Sequence, residues 1–375
     1  MNIYYSVYDA LFNIKKYRFG DKPNQSTGWG KFIENTFQYL QEYGYEMVEN
    51  IEEADVELFL GQPPLKLHPS MTPNAIFTMY ESSKLPQSWV NSLNNWDLII
   101  NPSEWGCKCF KDSGVSTRID KIPLWVDPYF EYKEKDISNQ WTYLSMGVQL
   151  TDRKNQLMIV NLFRNGKMPN DAKLIAKTTP VDHNNMDWHF VDSDNNVHLV
   201  QKDMTVEELR DLIYDAHVSV NPSGGEGFGW IPSESMLSGC CTILSDFSAL
   251  TQLCSTKCNL PLRCKEIQSP YNKLYGTIGE PDEEHLLKLM LWTYEHREEA
   301  LALGKASSEW INHDFSIDKF CSRLNATLTL LVNEKQKRIL NVDETNYMKD
   351  SFAPSGKDSF QLPTEKIEHR MEKSR

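Results

Sequence analysis

Apolar and polar positions along the chain form two successive series, in which short apolar runs alternate with longer stretches of helical period. The first series opens with Ile3-Tyr4-Tyr5-Ser6-Val7-Tyr8, a β-rich run that predicts a strand. A polar stretch with Gly20, Pro23 and Gly28-Trp29-Gly30 follows. Next come residues 31–43, where Phe32, Thr36, Tyr39, Leu40 and Tyr43 share one helical face. Gly44 stands where a helix end calls for a left-handed residue, and Tyr45-Glu46-Met47-Val48 resumes an extended pattern. Strand, glycine loop, helix, glycine, strand is a βαβ unit.

The alternation continues. Residues 56–60, 75–80, 97–101 and 121–126 read as strands, and residues 105–113 as a helix stopped by Gly114. Residues 129–140 are charged and aperiodic, which predicts an interdomain linker. A second series then predicts strands at 141–146, 172–177, 197–200, 218–220 and 241–244. Helices are expected at 155–163, 206–214, 230–237, 283–296, 297–310 and 317–332. The expected organisation is a first domain 1–128, the linker, a second domain 141–334 and a polar, partly disordered tail 335–375.

Composition narrows the function classes. At 375 residues the chain is too long for one ordinary core and fits two domains. A net charge of −13 disfavours a nucleic-acid partner, because an acidic field repels phosphate backbones. The sequence holds no apolar run of membrane-spanning length and no secretory leader pattern, so a cytoplasmic location is expected. The 8 cysteines are then expected to be reduced thiols. Cys254, Cys258 and Cys264 lack the paired spacing of a zinc knuckle and read as loop thiols.

The densest chemical signal is residues 221–239, Asn-Pro-Ser-Gly-Gly-Glu-Gly-Phe-Gly-Trp-Ile-Pro-Ser-Glu-Ser-Met-Leu-Ser-Gly, placed between a strand and a helix. Gly224, Gly225, Gly227 and Gly229 let backbone approach a ligand, and a helix N-terminus offers unpaired N–H groups to an anion. Glu226 lies in the loop and Glu234 one turn into the helix. Carboxylates accept hydrogen bonds from sugar hydroxyls, so this pair suits two parts of one sugar nucleotide. A glycine loop alone would more readily describe a tight strand–helix turn with two surface glutamates; the whole string does not.

The whole string resembles the signature Glu-Gly-Phe-Gly-x4-Glu of the family 4 type of retaining glycosyltransferases. Glu226 and Glu234 match its two carboxylates, with Gly227, Phe228 and Gly229 in place. Leu144-Ser145-Met146-Gly147, followed by Arg153-Lys154, resembles that family's strand, glycine and basic pair, with Val148 where an arginine is common. Gly28-Trp29-Gly30 resembles the first-domain glycine loop, and Asn101-Pro102-Ser103-Glu104-Trp105 its Pro-Ser-Glu-aromatic turn. Pro123-Leu124-Trp125-Val126-Asp127 resembles the segment closing the first domain, with Trp125 where glycine is usual. The resemblance runs in order over residues 1–330.

It implies an α/β protein of the GT-B fold, with two Rossmann-like domains facing a cleft and a C-terminal helix packing back on the first. It implies transfer of a sugar from a nucleotide-diphosphate sugar to an acceptor with retention. Arg153, Lys154 and Glu226 become the catalytic set, with the basic pair neutralising the leaving diphosphate. Glu234, in a solvent-filled cleft, would take the ribose, and Gly147, Gly224, Gly225, Gly227, Phe228 and Gly229 complete the donor side. Gly28, Trp29, Gly30 and Glu81 form the acceptor or cleft side, Glu81 standing in for a first-domain histidine common in the family. No metal or other cofactor is expected, and Asp192-Ser193-Asp194 reads as a polar turn. The acceptor is left open among glycan, protein, lipid and modified base. A nucleotide-sugar epimerase on the same fold and a non-catalytic sugar-nucleotide or glycan-binding protein are the rival readings.

Overall fold

The computed structural model describes residues 2–8, 28–48, 51–63, 72–147, 153–178, 196–272 and 274–351. The chain divides into two compact units, Met1–Val332 and Asn333–Arg375. Both large sheets lie in the first unit.

Among the described residues, the first sheet has six parallel strands: β1 (Asn2–Tyr8), β2 (Glu46–Val48), β3 (Val56–Gly61), β4 (Asn74–Phe77), β5 (Leu98–Asn101) and β6 (Ile119–Lys121). Their spatial order is β2-β1-β3-β4-β5-β6. The helices α1 (Gly28–Glu42), α2 (Gln87–Leu93) and α3 (Glu104–Asp112) make crossovers. Successive residues of a strand face opposite sides of a sheet. Leu58, Leu60, Phe77, Leu98 and Ile100 therefore join one apolar cluster, while Phe59, Ile76 and Ile99 join another on the opposite face. Burial on both faces is why these strands read as continuous apolar runs.

The second sheet is again parallel and six-stranded among the described residues. It comprises β7 (Thr142–Met146), β8 (Lys173–Thr178), β9 (Val197–Gln201), β10 (Val218–Asn221), β11 (Cys241–Ser245) and β12 (Leu260–Leu262), in the order β12-β11-β10-β7-β8-β9. Helices α4 (Gln156–Arg164), α5 (Val206–Tyr214) and α6 (Trp230–Leu237) connect them. An antiparallel hairpin, β13 (Cys264–Gln268) with β14 (Thr277–Pro281), leads to α7 (Glu283–Glu295), α8 (Arg297–Asp314) and α9 (Ile317–Ser351).

A single apolar cluster runs between the sheets, joining Phe77, Ile100 and Trp125 of the first half to Leu144, Phe228 and Leu244 of the second. The start of α9 closes it. Phe320 stacks on Phe77 and Trp125 at centroid distances of 6.0 and 4.8 Å. Tyr45 donates from its hydroxyl to the Asn325 side chain at 2.7 Å, and Tyr43 bonds Asp318. The helix expected to return to the first domain does so.

Several expectations need correction. The strand expected at 121–126 is displaced to β6, because Ile119 pairs with Ile99 and the chain then leaves the sheet. Pro123 has no N–H for a ladder, and Ile122, Leu124, Trp125 and Val126 serve as core residues instead. Gly28, Trp29 and Gly30 are the first residues of α1, not a loop ahead of it. The helix expected to end at 332 continues to Ser351, past the point where a polar tail was expected to begin. Helix α2, the edge strand β12 and the β13–β14 hairpin were not expected at all. Among the described residues, no helix is long and apolar enough to cross a membrane.

Candidate functional site

Loops leaving the carboxyl ends of β4, β7 and β10 converge. In the second sheet β7 and β10 are neighbours, and between them the direction of connection reverses. In open parallel sheets, ligands settle in the crevice outside such a reversal.

The segment after β7 begins with Gly147, whose N–H donates to the Lys177 carbonyl at 3.1 Å. It ends with Arg153, Lys154 and Asn155 at the start of α4. Asn155 is left-handed, with φ of 55°, a conformation asparagine tolerates better than most residues. Its side-chain amide donates to the carbonyls of Arg153 at 3.2 Å and Pro222 at 2.9 Å, tying the loop after β7 to that after β10. The Gly224 N–H adds a further tie to the Arg153 carbonyl at 2.7 Å.

The loop after β10 is shaped around its glycines. A methyl group at Gly225 would overlap the backbone carbonyl of Glu81, so only glycine allows this approach between the two halves. Gly229 opens α6 at φ of 111°, where a side chain is strained. Phe228 turns inward, 1% exposed, with its ring 5.6 Å from Trp230 and 6.0 Å from Phe315. Its contribution in this structure is to anchor the loop in the core. The Glu226 N–H donates to the Ser248 hydroxyl at 2.9 Å, and Ser248 itself has φ of 59°.

Charge is concentrated where these loops meet. Arg153 Nη1 lies 3.0 Å from Glu226 Oε1, and Lys154 Nζ pairs with the same oxygen. Arg153 Nη1 also donates to Ser223 Oγ at 3.3 Å and to the Gly225 carbonyl. Its Nη2 reaches across to Glu81 Oε1, 2.6 Å away, on the segment that follows β4. Burial alone would raise the Glu226 pKa. The guanidinium of Arg153 and then the ammonium of Lys154 outweigh it and hold the carboxyl near about 2, below its ordinary 4.5. Glu226 is thus an anion at any physiological pH, an acceptor of hydrogen bonds and not a proton donor.

The structure brings Arg153, Lys154, Glu226, Gly224, Gly225 and Glu81 together. Ser145, Met146, Lys154, Asn221, Ser223 and Glu226 line a small pocket beside them. Glu234 departs from expectation: it is 5% exposed, not turned to a solvent-filled cleft. Residues Pro232 to Leu237 of α6 are all buried, because α8 covers the helix from outside. Ser308 of α8, for instance, donates to the Leu237 carbonyl at 2.6 Å. Val148, Asp192 and Asp194 lie outside the described residues.

Ser223, Ser248 and Asn155 were missed by sequence reasoning. Asn155 carried a signal, an asparagine directly before a helix; the two serines carried none. All 8 cysteines are free. Burial is the main cause that raises the thiols of Cys107 and Cys264 to about 11 and Cys109 to about 12. Among the described residues, no three of His, Cys, Asp and Glu gather as metal ligands would, Cys254, Cys258 and Cys264 included.

No family model matches the chain, and no curated protein is recognisably similar in sequence. Solved structures are similar in fold. HepE from Anabaena, in complex with UDP, superposes with a TM-score of 0.63 at 12% identity, over 88% of this chain and 100% of that one. Sucrose-phosphate synthase from Thermosynechococcus elongatus gives 0.57 at 15% identity, over 82% and 78% of the two chains. A UDP-forming trehalose-phosphate synthase from Burkholderia xenovorans gives 0.52 at 11% identity, over 80% and 78%. The fold is GT-B.

Proposed function

We propose that this protein is a retaining glycosyltransferase of the family 4 type, moving a sugar from a nucleotide-diphosphate donor to an acceptor held from the first half of the chain. One observation carries the reading. Arg153 and Lys154 converge on the anionic Glu226 at the carboxyl ends of β7 and β10, inside the string that resembles the Glu-Gly-Phe-Gly-x4-Glu signature. The likeness to HepE, whose structures contain UDP or UDP-glucose, supports the reading and makes UDP-sugars the first donors to try.

The chemistry follows from charge. As the bond from sugar to diphosphate lengthens, negative charge grows on the leaving phosphate. Glu226 holds Arg153 and Lys154 side by side, so both cations are aimed at that charge as it develops, which is where preorganised electrostatics gain most. Glu226 accepts hydrogen bonds from sugar hydroxyls while it keeps the lysine in place. The backbone of Gly147, Gly224, Gly225, Gly227 and Gly229 lets the donor lie close to the sheet. Glu234, deep in α6, takes the ribose hydroxyls. The first half, with Gly28, Trp29, Gly30 and Glu81, presents the acceptor. No metal is required, because the basic pair and the start of α4 supply the positive charge.

A ligand that binds only the native state raises the melting temperature by mass action. We expect UDP or UDP-glucose at saturating concentration, in the presence of a chelator, to raise Tm by several degrees. Incubation with an accepted sugar should then release UDP and give a product with the donor's anomeric configuration. No shift with any nucleotide sugar, or a shift that needs Mg²⁺, would overturn the reading or its metal independence respectively.

A further inference from the structure

The two halves of the protein meet at the charged cluster through the ion pair of Glu81 with Arg153. Among the described residues, Arg153 and Lys154 are faced by two carboxylates, Glu226 and Glu81. These differ in how they are held. Glu226 is 9% exposed, belongs to the same half as the cations and is fixed through its backbone to Ser248. Glu81 comes from the other half and its side chain is 37% exposed.

Among the described residues, these two cations and two carboxylates sum to no net charge. Adding a doubly charged anion beside both carboxylates would place like charges within a few ångströms, which is strongly unfavourable. Of the two carboxylates Glu81 is the more exposed, so it is the one placed to yield. Its surroundings are built to register the departure. The Glu81 carbonyl packs on Gly225. The next residues are stitched to the β13–β14 hairpin of the second half. Ser82 Oγ donates to the Tyr275 carbonyl at 2.7 Å, Ser83 N–H to the Thr277 carbonyl at 3.1 Å, and Thr277 N–H to Ser83 Oγ at 2.7 Å. Lys84 and Tyr275 pair as an antiparallel bridge.

We propose that Glu81 is an internal stand-in for the donor diphosphate. In the free protein its carboxylate occupies Arg153 and holds the halves together. Diphosphate takes its place on Arg153, the seam loosens, and Glu81 is freed toward the acceptor side. When the nucleotide product is ready to leave, the returning carboxylate competes it off. The inference rests on the reading of Arg153 and Lys154 as a diphosphate site, and the test separates the two.

The experiment is titration calorimetry of wild type, Glu81→Gln and Glu81→Asp with two probes, inorganic pyrophosphate and UDP, at low ionic strength. Glutamine keeps the shape and removes the competing charge, so pyrophosphate and UDP should both bind about fivefold to tenfold more tightly to Glu81→Gln. Raising salt should shrink that gap, since it weakens the competing ion pair. Aspartate, one methylene shorter, should fall between glutamine and wild type. Equal or weaker pyrophosphate binding by Glu81→Gln would overturn the proposal, by making Glu81 a helper of the site and not its competitor. Tighter pyrophosphate binding with no UDP binding in any variant would uphold the stand-in and sink the nucleotide reading. Failure of every variant to bind either probe would sink both.

Discussion

Lys154 and Glu226 make one unit, and each can be tested through the other. Lys154 is only 16% exposed and points its ammonium at Glu226. If it meets charge that appears mainly in the transition state, Lys154→Ala should lower kcat far more than it weakens donor binding. A fall of about 100-fold in kcat fits the loss of one preorganised charged donor. Steady-state kinetics with kcat unchanged would return Lys154 to a structural role. Glu226 gives a prediction that needs no substrate. Its folded-state pKa, about 2, lies below its ordinary value of 4.5. A depressed carboxylate stabilises the fold above its unfolded pKa, and that contribution is lost as pH falls through the folded one. The stability advantage of wild type over Glu226→Gln should therefore be full at pH 6, shrink below about pH 4.5 and disappear near pH 2. Urea midpoints measured across that range check it; an advantage independent of pH would mean the carboxylate contributes by shape and not by charge.

At the scale of elements, what was legible depended on how far along the chain the cause lay. The Glu226 loop could be read because strand, glycines, Pro232 and helix are contiguous, and each local choice has a local reason. The same holds for α3, where Ser103 accepts from the Gly106 N–H at 2.9 Å as a helix cap. The double-faced burial of β3, β4 and β5 was likewise visible as unbroken apolar runs. The strand expected over 121–126 failed because burial alone cannot tell a strand from an extended core segment. Ile122, Leu124 and Val126 satisfy both patterns, and Val126 gives its N–H to Phe315, 2.9 Å away, not to a neighbouring strand. Glu234 was expected in solvent because its own helix turn says so. It is buried because α6 is packed between β10 and β11 on one hand and α8 on the other, which no local pattern shows. The β13–β14 hairpin had no strong alternation to show, since only Ile278, Gly279 and Pro281 of β14 are buried. Its importance at the Glu81 seam is a property of the closed molecule, and no local pattern could carry it.

Across the whole first unit, the question is whether two sheets make two independent folding units or one. Their apolar clusters argue for one, since a continuous core runs from Phe77 and Trp125 to Phe228 and Leu244. Phe320 is its keystone. It is 1% exposed, comes from the start of α9, and meets both Phe77 of the first sheet and Trp125. Trp125 in turn stacks edge-on against Trp230 of α6 at 5.4 Å. Truncating such a ring removes buried apolar area and leaves a cavity, at a typical cost of about 3–5 kcal/mol. If the halves are separate, Phe320→Ala weakens only the first, and the melt should split, with a second transition left where it was. If they share one core, the whole transition should move down together, by roughly 5 °C or more for a domain of this size. We expect the second outcome in calorimetry: a single peak, displaced, with its cooperativity kept. The ties between Ser82, Ser83 and the β13–β14 hairpin give a further reason to expect it, because they join the two halves through residues other than those of α9. If the molecule opens for a donor at the seam, a second attachment has to stay closed, and the aromatic cluster around Phe320 would be that attachment. Replacing Phe320 should then also loosen the hold on nucleotide more than its distance from Arg153 would suggest; a split melt with unchanged nucleotide affinity would rule out this coupling.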